Sequence, residues 1–600
     1  MQYKLYDSKK ESSNVLKQIL YNRGIDNVDT YLNLNKDVVS DYNLIENMEE
    51  AVFLFDKHFK EKNCIGIIPD SDVDGQCSSA EVYLYIKRMD VNYPIKIIYH
   101  TRPKAHGLSD VEIPNDVKLL IIADAGTNDT SECKKLKDRG IDVLILDHHE
   151  KEKDNPYALI VNNQCSDKYS NKQLCGGGIV YRWLQALDDY YWNEFADDYL
   201  DLVAFANISD VMDLRELETR YLVNCGLLNI QNKFLKALIQ SQDYSMNGKI
   251  NIHNVQWYLT PVVNAILRVG SQEEKELLFR AFIENDEFFE YKKRGITNKA
   301  GQTVKESIYD RAARLCKNAK SKQDRKKEKS LKAITEIINN EQNNNKVILV
   351  DTTGILDTGL TGVVAIKVAE LYNKPCVLLN RFFDPVKNRN MYIGSARNVN
   401  NSPIDSFKDI INTTKAFDFG QGHANAFGVR LEIDKKDTAL EELNNILKDV
   451  VYDSTYKVDF ILNPSDINIE IIYEMNKFED LICQGIEPPM IAVIDITLSK
   501  NDFEIFGKNE DTISFVLNEI KYVQFKCKEG NPLYDWIQNA WDENEEITFE
   551  IVGKPTINDY NGLRTPQIII EDVNIINTAQ SDVIFDEDFE YEVWEEETDR

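Results

Sequence analysis

Four short stretches of the sequence place acidic or imidazole side chains at the end of an apolar run. "IIPDSDVDG" offers Asp70, Asp72 and Asp74, "LLIIADAG" offers Asp124, "LILDHHE" offers Asp147, His148 and His149, and "AFANISD" offers Asp210. Carboxylates gathered at one place raise one another's pKa, and they coexist as anions only when cations neutralise them. Oxygen donors with one imidazole suit Mn2+ well and Mg2+ acceptably, and the lack of cysteine at these positions argues against structural zinc. Two such ions about 3.5–4 Å apart form a clamp for in-line attack on phosphorus. The alternation in D-S-D-V-D turns residues 70, 72 and 74 the same way if the strand geometry continues through them. Each piece alone has a plainer reading. An Asp after a strand is often a turn residue or a helix cap, "DVDG" without the other loop positions and the closing Glu does not make a calcium loop, and a lone His pair is more often surface than ligand. Repetition at three strand ends carries the joint reading.

The elements that must position these residues can be read from hydrophobic periodicity. "CIGIIP", "IKIIYH", "VKLLIIAD", "DVLILD" and "YALIV" are short apolar runs, and "SSAEVYLYIKRM" and "SECKKLKDRG" between them have helical spacing. Such alternation predicts a parallel sheet in an α/β domain. Functional groups of an open parallel sheet collect at the carboxyl ends of its strands. The first three clusters should therefore converge on one edge, with Asp210 brought there by the helix "LDLVAFANISDVMDL". Residues 1–50 read as short helices, residues 173–300 as mostly helical, and 303–340 as a long polar helix. A second α/β region starts at "KVILVD" (346–351). From about 456 to 575, runs such as "KVDFIL", "MIAVIDITL" and "ITFEIV" suggest a small OB-like barrel. The domains expected are a helical segment (1–50), a sheet-and-helix domain (51–300), a connecting helix (301–345), a second α/β domain (346–454), the barrel (455–578) and an acidic tail (579–600).

Composition limits the partners. The chain has 600 residues, 43% hydrophobic and 28% charged, which fits several soluble globular domains. The N-terminus lacks the apolar stretch of a secretory signal, no apolar run is long enough to cross a bilayer, and the ten cysteines form no C-x-x-C pair, so reduced thiols in a cytoplasm are expected. A net charge of −30 excludes a surface that is basic throughout. Residues 305–332 are the exception, with eleven Lys or Arg against four Asp or Glu. A solvated connecting helix is the commoner source of such a run, and a surface that tracks nucleic acid is the sharper one. The last nineteen residues hold ten acidic groups and read as a solvated tail.

D-x-D-x-D-G, D-x-G, D-H-H and a later Asp after an apolar run resemble the four motifs of the DHH phosphoesterase superfamily. Residues 346–431 resemble its companion DHHA1 domain, through "GLTGVVAIKVAELYNKP", "GSARN" and "QGHANAFG". The length, the connecting helix, "TPVVNAILRVG" and the terminal barrel are similar to the RecJ-like exonucleases of that superfamily. The resemblance covers about residues 50–575.

It implies an α/β fold with a parallel-sheet DHH domain, a DHHA1 domain joined by a long helix and a C-terminal OB-like β-barrel. It also implies a metal-dependent 5′→3′ exonuclease that releases 5′-mononucleotides from single-stranded DNA and serves repair, recombination or replication. Two divalent ions, Mn2+ preferred and Mg2+ accepted, would sit among Asp70, Asp72, Asp74, Asp124, His148 and Asp210. His149 would contact the scissile phosphate, with Asp147 orienting the turn and a histidine. Arg102, Asn264, Arg268, Ser395, Arg397 and His423 would hold the nucleotide or its phosphates, Arg being suited by its two-pronged donor geometry. Tyr522, Phe525 and Tyr560 are barrel aromatics that could stack bases or fill the core. A monomer is implied, with a single-strand-binding protein or a helicase as further partners. The chain departs from the pattern at Gln421, at "KAHG" (104–107) where glycine–aromatic–glycine is usual, and at Asn398. The alternatives are an oligoribonuclease or cyclic-dinucleotide phosphodiesterase, and a non-catalytic DHH-fold scaffold.

Overall fold

The computed structural model describes the chain apart from residues 102–105, 293–302, 342–343, 385–386, 400–401, 453–454, 508, 541, 561–562 and 579–600. Arg102 and the acidic tail therefore lie outside the described residues. The chain divides into two compact units, one made of Met1–Gly24, Thr455–Glu479 and Pro488–Arg600, the other of Ile25–Ser454 and Asp480–Glu487.

The larger unit holds two five-stranded sheets. The first has five parallel strands in the order Ile95–Ile97, Cys64–Ile68, Val117–Ala123, Asp142–Asp147, Leu159–Asn162. Both faces are covered, which explains why its strands are continuous apolar runs: Ile65, Ile67, Leu119, Ile121, Leu144 and Leu146 pack to one side, and Ile68, Leu120, Ile122, Val143 and Ile145 to the other. The chain starts at the second strand of the sheet, moves one way to Ile95–Ile97 and then returns to build outward from Val117–Ala123. The reversal between Cys64–Ile68 and Val117–Ala123 opens a crevice at their carboxyl ends, where ligands of doubly wound sheets bind.

Helices follow the sheet as its chain order requires. Helix Val73–Met89 leaves the first strand, and Gly176–Tyr191 and Leu200–Ser209 pack beside it. Thr260–Val269 belongs to the same helical layer and begins after a single π-helical turn, Val255–Leu259. The polar run forms a helix at Ile308–Glu341, about 51 Å long at 1.5 Å per residue. It starts later than expected because Thr303–Ser307 pairs instead with Phe288–Lys292 as an antiparallel hairpin. Ala312, Ala313, Cys316, Ile334 and Ile338 form its buried stripe. Lys322, Arg325 and Lys329 face solvent, the arrangement of a connecting helix with a solvated side. The second sheet orders Phe417–His423, Ala426–Glu432, Arg389–Arg397, Cys376–Asp384 and Ile348–Asp351, antiparallel except for the last pair. None of the helices among the described residues is long and apolar enough to cross a membrane.

The smaller unit is built on a seven-stranded sheet whose centre is the long pair Glu546–Tyr560 and Leu563–Thr578. Phe503, Phe515, Tyr522, Trp536 and Phe549 form its aromatic core, with Tyr522 stacked on Phe515 at 4.7 Å between ring centroids. Tyr522 is thus core, whereas Phe525 is 54% exposed. Tyr560 ends a strand, and its side chain is outside the described residues.

The first fifty residues are not one helical segment. Gln2–Leu5 is a strand paired in parallel with Thr455–Val458, a partner more than 400 residues away that local periodicity cannot reveal. Helix Val15–Asn22 ends at Arg23, whose guanidinium meets the Asp459 carboxylate twice, at 2.7 and 3.0 Å, with both side chains buried. The Met490 amide also donates to Asp459 at 3.0 Å. Removing one member of such a pair strands the other charge, at a cost of about 3–5 kcal/mol. Asp459→Ala is therefore expected to lower the denaturant midpoint of the smaller unit, measured by urea unfolding with Trp536 fluorescence. An unchanged midpoint would show that the pair adds nothing to stability.

Candidate active site

The crevice at the strand reversal is where the aspartates arrive. Strand Cys64–Ile68 ends two residues before Asp70, so the alternation expected through Asp74 is broken. Asp72 instead caps the next helix, its carboxylate accepting the Gly75 amide at 3.0 Å, and Asp74 lies in that helix's first turn. The helix starts this early because an Asp cap satisfies its free amides and Gly75 allows a close approach: a Cβ on Gly75 would stand 2.4 Å from that of Asp70. Asp74 is reached from the other side by helix Gly176–Tyr191, whose Gly176 and Gly177 amides each donate to it at 2.7 Å. A Cβ on Gly176 would fall 2.5 Å from that of Asp124, so only glycine fits there.

Asp124 follows strand Val117–Ala123 with φ = 66°, an uncommon left-handed backbone for a non-glycine residue. Its amide donates to the Leu146 carbonyl at 2.8 Å, which fixes the turn against the neighbouring strand. Asp210 sits at the C-terminal end of helix Leu200–Ser209. His148 brings the set together, its Nε2 lying 3.1 Å from Asp124 Oδ1, 3.5 Å from Asp210 Oδ2 and 3.8 Å from Asp74 Oδ2. Asp70, Asp72 and Asp124 bring ligand atoms within 4.8 Å of one another.

The donor set fits a divalent cation. Asp124 Oδ1, Asp210 Oδ2 and His148 Nε2 are buried with no hydrogen-bond partner, although buried polar atoms are otherwise almost always paired. Burial first, and the neighbouring carboxylates second, push Asp124 and Asp210 well above the usual carboxylate range and Asp74 up to about 6. A divalent ion among them reverses that repulsion. Burial, with the charge of His149 nearby, lowers His148 to about 3, which leaves the neutral imidazole that a metal ligand requires.

The two histidines divide as an extended pair should. Asp147 is fully engaged: Oδ1 accepts the amides of His148 (2.7 Å) and His149 (3.2 Å) and faces His149 Nδ1 at 2.7 Å, and Oδ2 accepts the Thr127 amide (3.1 Å) and hydroxyl (2.6 Å). It holds the turn and one face of the His149 ring, which is 52% exposed. Burial opposes charge on that ring, but the Asp147 bond prevails and raises it to about 10.

Asp70 is also occupied. His106 Nδ1 (2.5 Å), His100 Nε2 (3.3 Å) and the Gly107 amide (3.2 Å) surround its carboxylate. Thr127, His100 and His106 were missed from the sequence, although His106 stands in the atypical "KAHG" run.

The remaining expected residues come from three places. Asn264 and Arg268 share helix Thr260–Val269, and the charges of Asp72 and Arg397 reach Arg268. Ser395 and Arg397 lie on strand Arg389–Arg397, Ser395 bonding Thr361 at 2.8 Å and Arg397 donating to the Ala396 carbonyl at 2.7 Å. His423 ends strand Phe417–His423 with its ring exposed, close enough to His149 for the two charges to oppose each other. Gln421 bonds Glu152 at 3.3 Å, linking that strand to the turn after the D-H-H corner. Arg397 and His423 from the second sheet thus come within electrostatic reach of Arg268 and of the D-H-H histidines.

Acidic side chains placed to share cations, beside a rim of cationic phosphate donors, are the equipment of a phosphoesterase, and the D-H-H corner makes it one of the DHH class. The sequence comparisons agree. A model of the N-terminal domain of the DHH family matches residues 64–206, and a model of the RecJ OB domain matches residues 458–572. The YorK protein of Bacillus phage SPbeta, to which single-strand DNA-specific exonuclease activity is ascribed, is 34% identical over 603 residues, spanning 98% of this chain and 100% of that protein. The single-stranded-DNA-specific exonuclease RecJ of Bacillus subtilis is 24% identical over 544 residues, spanning 88% of this chain and 64% of its own length. Among solved structures, RecJ of Thermus thermophilus in complex with Mn2+ shares the fold, with a TM-score of 0.70 at 16% identity over 95% of this chain and 79% of that one. The chain belongs to the RecJ-like group of the DHH family.

A ligand bound only by the native state stabilises it by about 2.7 kcal/mol at a hundred times its Kd. Mn2+ added to EDTA-treated protein should therefore raise Tm by a few degrees. Asp124→Asn keeps a residue that tolerates φ > 0 while removing one charge from the cluster. Its metal-free Tm should be no lower, and its Mn2+ increment should be largely lost. An equal increment in variant and parent would place the cation elsewhere.

Proposed function

We propose that this protein is a metal-dependent exonuclease that hydrolyses single-stranded DNA from the 5′ end to 5′-mononucleotides. The observation that carries the reading is the set of unpaired buried donors, Asp124 Oδ1, Asp210 Oδ2 and His148 Nε2, beside the half-exposed His149 ring held by Asp147. Two divalent ions, Mn2+ preferred, would be held by Asp72, Asp74, Asp124, His148 and Asp210. Asp70 serves them at most in part, because its carboxylate already meets His106 Nδ1 and accepts the Gly107 amide. Bound there, the cations would supply Lewis acidity to the phosphoryl oxygens and lower the pKa of an attacking water.

The rest is the work of the chain's own side chains. Asp147 holds His149 through Nδ1, which leaves Nε2 to donate to the scissile phosphate as its charge grows. Arg268, Arg397 and His423 line the opposite side with donors for neighbouring phosphates, and Ser395 and Asn264 add neutral hydrogen bonds. Arg102 is expected to join them. The exposed ring of Phe525 offers the barrel a base-stacking surface. A monomer in the cytoplasm of a bacterium or a phage-infected cell, working with a single-strand-binding protein or a helicase in DNA repair, completes the proposal. Support comes from the single-strand-specific activities named for the relatives, and from the Mn2+-bound RecJ structure that shares the fold.

Single strands of DNA and RNA labelled at either end, incubated with Mn2+, test it. Release of the 5′ label as a mononucleotide from DNA, abolished in Asp124→Asn, is expected. Release from the 3′ end, or a preference for RNA or for dinucleotides, would overturn the polarity or the substrate. Asp147→Asn should lower kcat by roughly 10–100-fold with little change in KM, because it misplaces a ring that acts in the transition state. A rise in KM alone would assign Asp147 to binding.

A further inference from the structure

Helix Thr260–Val269 has one face that is not buried. Val262, Val263, Ala265, Ile266 and Leu267 pack inward. Pro261, Asn264 and Arg268 are partly exposed, and their spacing of three and four residues aligns them along a single stripe. Arg268 marks the catalytic end of this stripe, since the charges of both Asp72 and Arg397 reach it. Following the stripe back by one turn leads to Trp257, four residues before Pro261.

Trp257 is 62% exposed, and its neighbour Tyr258 is also exposed. A tryptophan is costly to leave in water, and isolated apolar side chains on a surface need no explanation. This one differs in its setting. It lies in the π-helical turn Val255–Leu259, which leads directly into the helix that carries Pro261, Asn264 and Arg268. Three residues on, the Thr260 hydroxyl bonds that of Ser209 at 2.8 Å, and Ser209 precedes Asp210. The indole is thus carried on an element clamped to the cation cluster, and His253 lies on one flank at 6.2 Å between ring centroids.

The geometry points to Trp257 as a base-stacking platform that receives an unpaired nucleobase of the strand whose phosphates reach Arg268. This inference rests on the proposed action on single strands and adds a residue outside the motifs of the catalytic corner. The occupant is a nucleobase and not a protein side chain because the stripe continues into cationic and amide donors that match a sugar–phosphate backbone. Every base has a π face, so such a platform grips a strand without reading its sequence.

The test uses the full chain in the Asp124→Asn background with Mn2+, so that the strand is not consumed. Fluorescein-labelled (dT)20 and an abasic strand of equal length are bound by anisotropy. The parent should prefer (dT)20. Trp257→Ala should weaken (dT)20 binding about tenfold, within the range of one lost base stack, and abolish the preference. Trp257→Phe should recover most of it. Trp192→Ala, which removes a 94% exposed indole from the end of another helix, should change neither strand's affinity. A parent that binds neither strand overturns the single-strand reading and the platform together. A parent that binds both, with (dT)20 affinity or preference unaltered in Trp257→Ala, overturns the platform alone.

Discussion

Asp74, Asp124 and Asp210 meet the same imidazole nitrogen inside the protein, and carboxylates that close repel each other strongly where water is excluded. Folding must hold them together against this repulsion before any cation contributes. The solution lies in the backbone. Two amides at the start of helix Gly176–Tyr191 take one carboxylate, the left-handed turn at Asp124 aims another, and glycines remove the Cβ atoms that would separate helix from strand end. A helix N-terminus also carries partial positive charge, which favours the anion it caps. The covered parallel sheet matters because it supplies the fixed points from which these turns are hung.

The net charge of −30 makes a phosphate substrate an awkward partner for most of the surface. The reach of that field is limited, however, because exposed charges are screened over about 10 Å at ordinary ionic strength. Beside the aspartate cluster, cationic side chains do gather. Arg268, Arg397, His149 and His423 come from four separate elements and influence one another's charge state. On the proposed reading, the guanidinium groups and the charged His149 ring offer a place for an anion, just as the aspartates offer one for cations, and a phosphodiester would lie between them.

Much of this was legible in the sequence because the first sheet is parallel and buried. Three of its strands are largely apolar runs that end at or just before an acidic residue, and a reader needs only the rule about strand ends to bring Asp124 and His148 together. The misreadings have identifiable causes. Continuing strand geometry through D-S-D-V-D ignored that Asp72 is an excellent helix cap, so Asp74 is presented by a helical turn. The strand Gln2–Leu5 escaped notice because its partner lies at the far end of the chain. His100 stands in no motif and His106 in a run that departs from one, and their meeting at Asp70 depends on how a loop folds back. Thr127 directly follows a recognised motif, but its bond to Asp147 crosses from one strand end to the next.

Selection of single strands is a separate question from cleavage, and the metal cluster cannot answer it. Phosphates are present in duplex and single strand alike, so contacts from Arg268 or His149 supply affinity without distinguishing the two. What a duplex withholds is the face of the base, which is covered by its stacked neighbours. A site that combines phosphate donors with an exposed indole on the same helical stripe therefore favours whichever form can offer both a backbone and a free base. On the proposed reading, the eleven residues from Trp257 to Arg268 along one helical segment set the spacing between the stacked base and the phosphate that Arg268 holds. The buried face of that helix and its bond to Ser209 fix where the two contacts stand, so on this reading the strand must bring its free base to them.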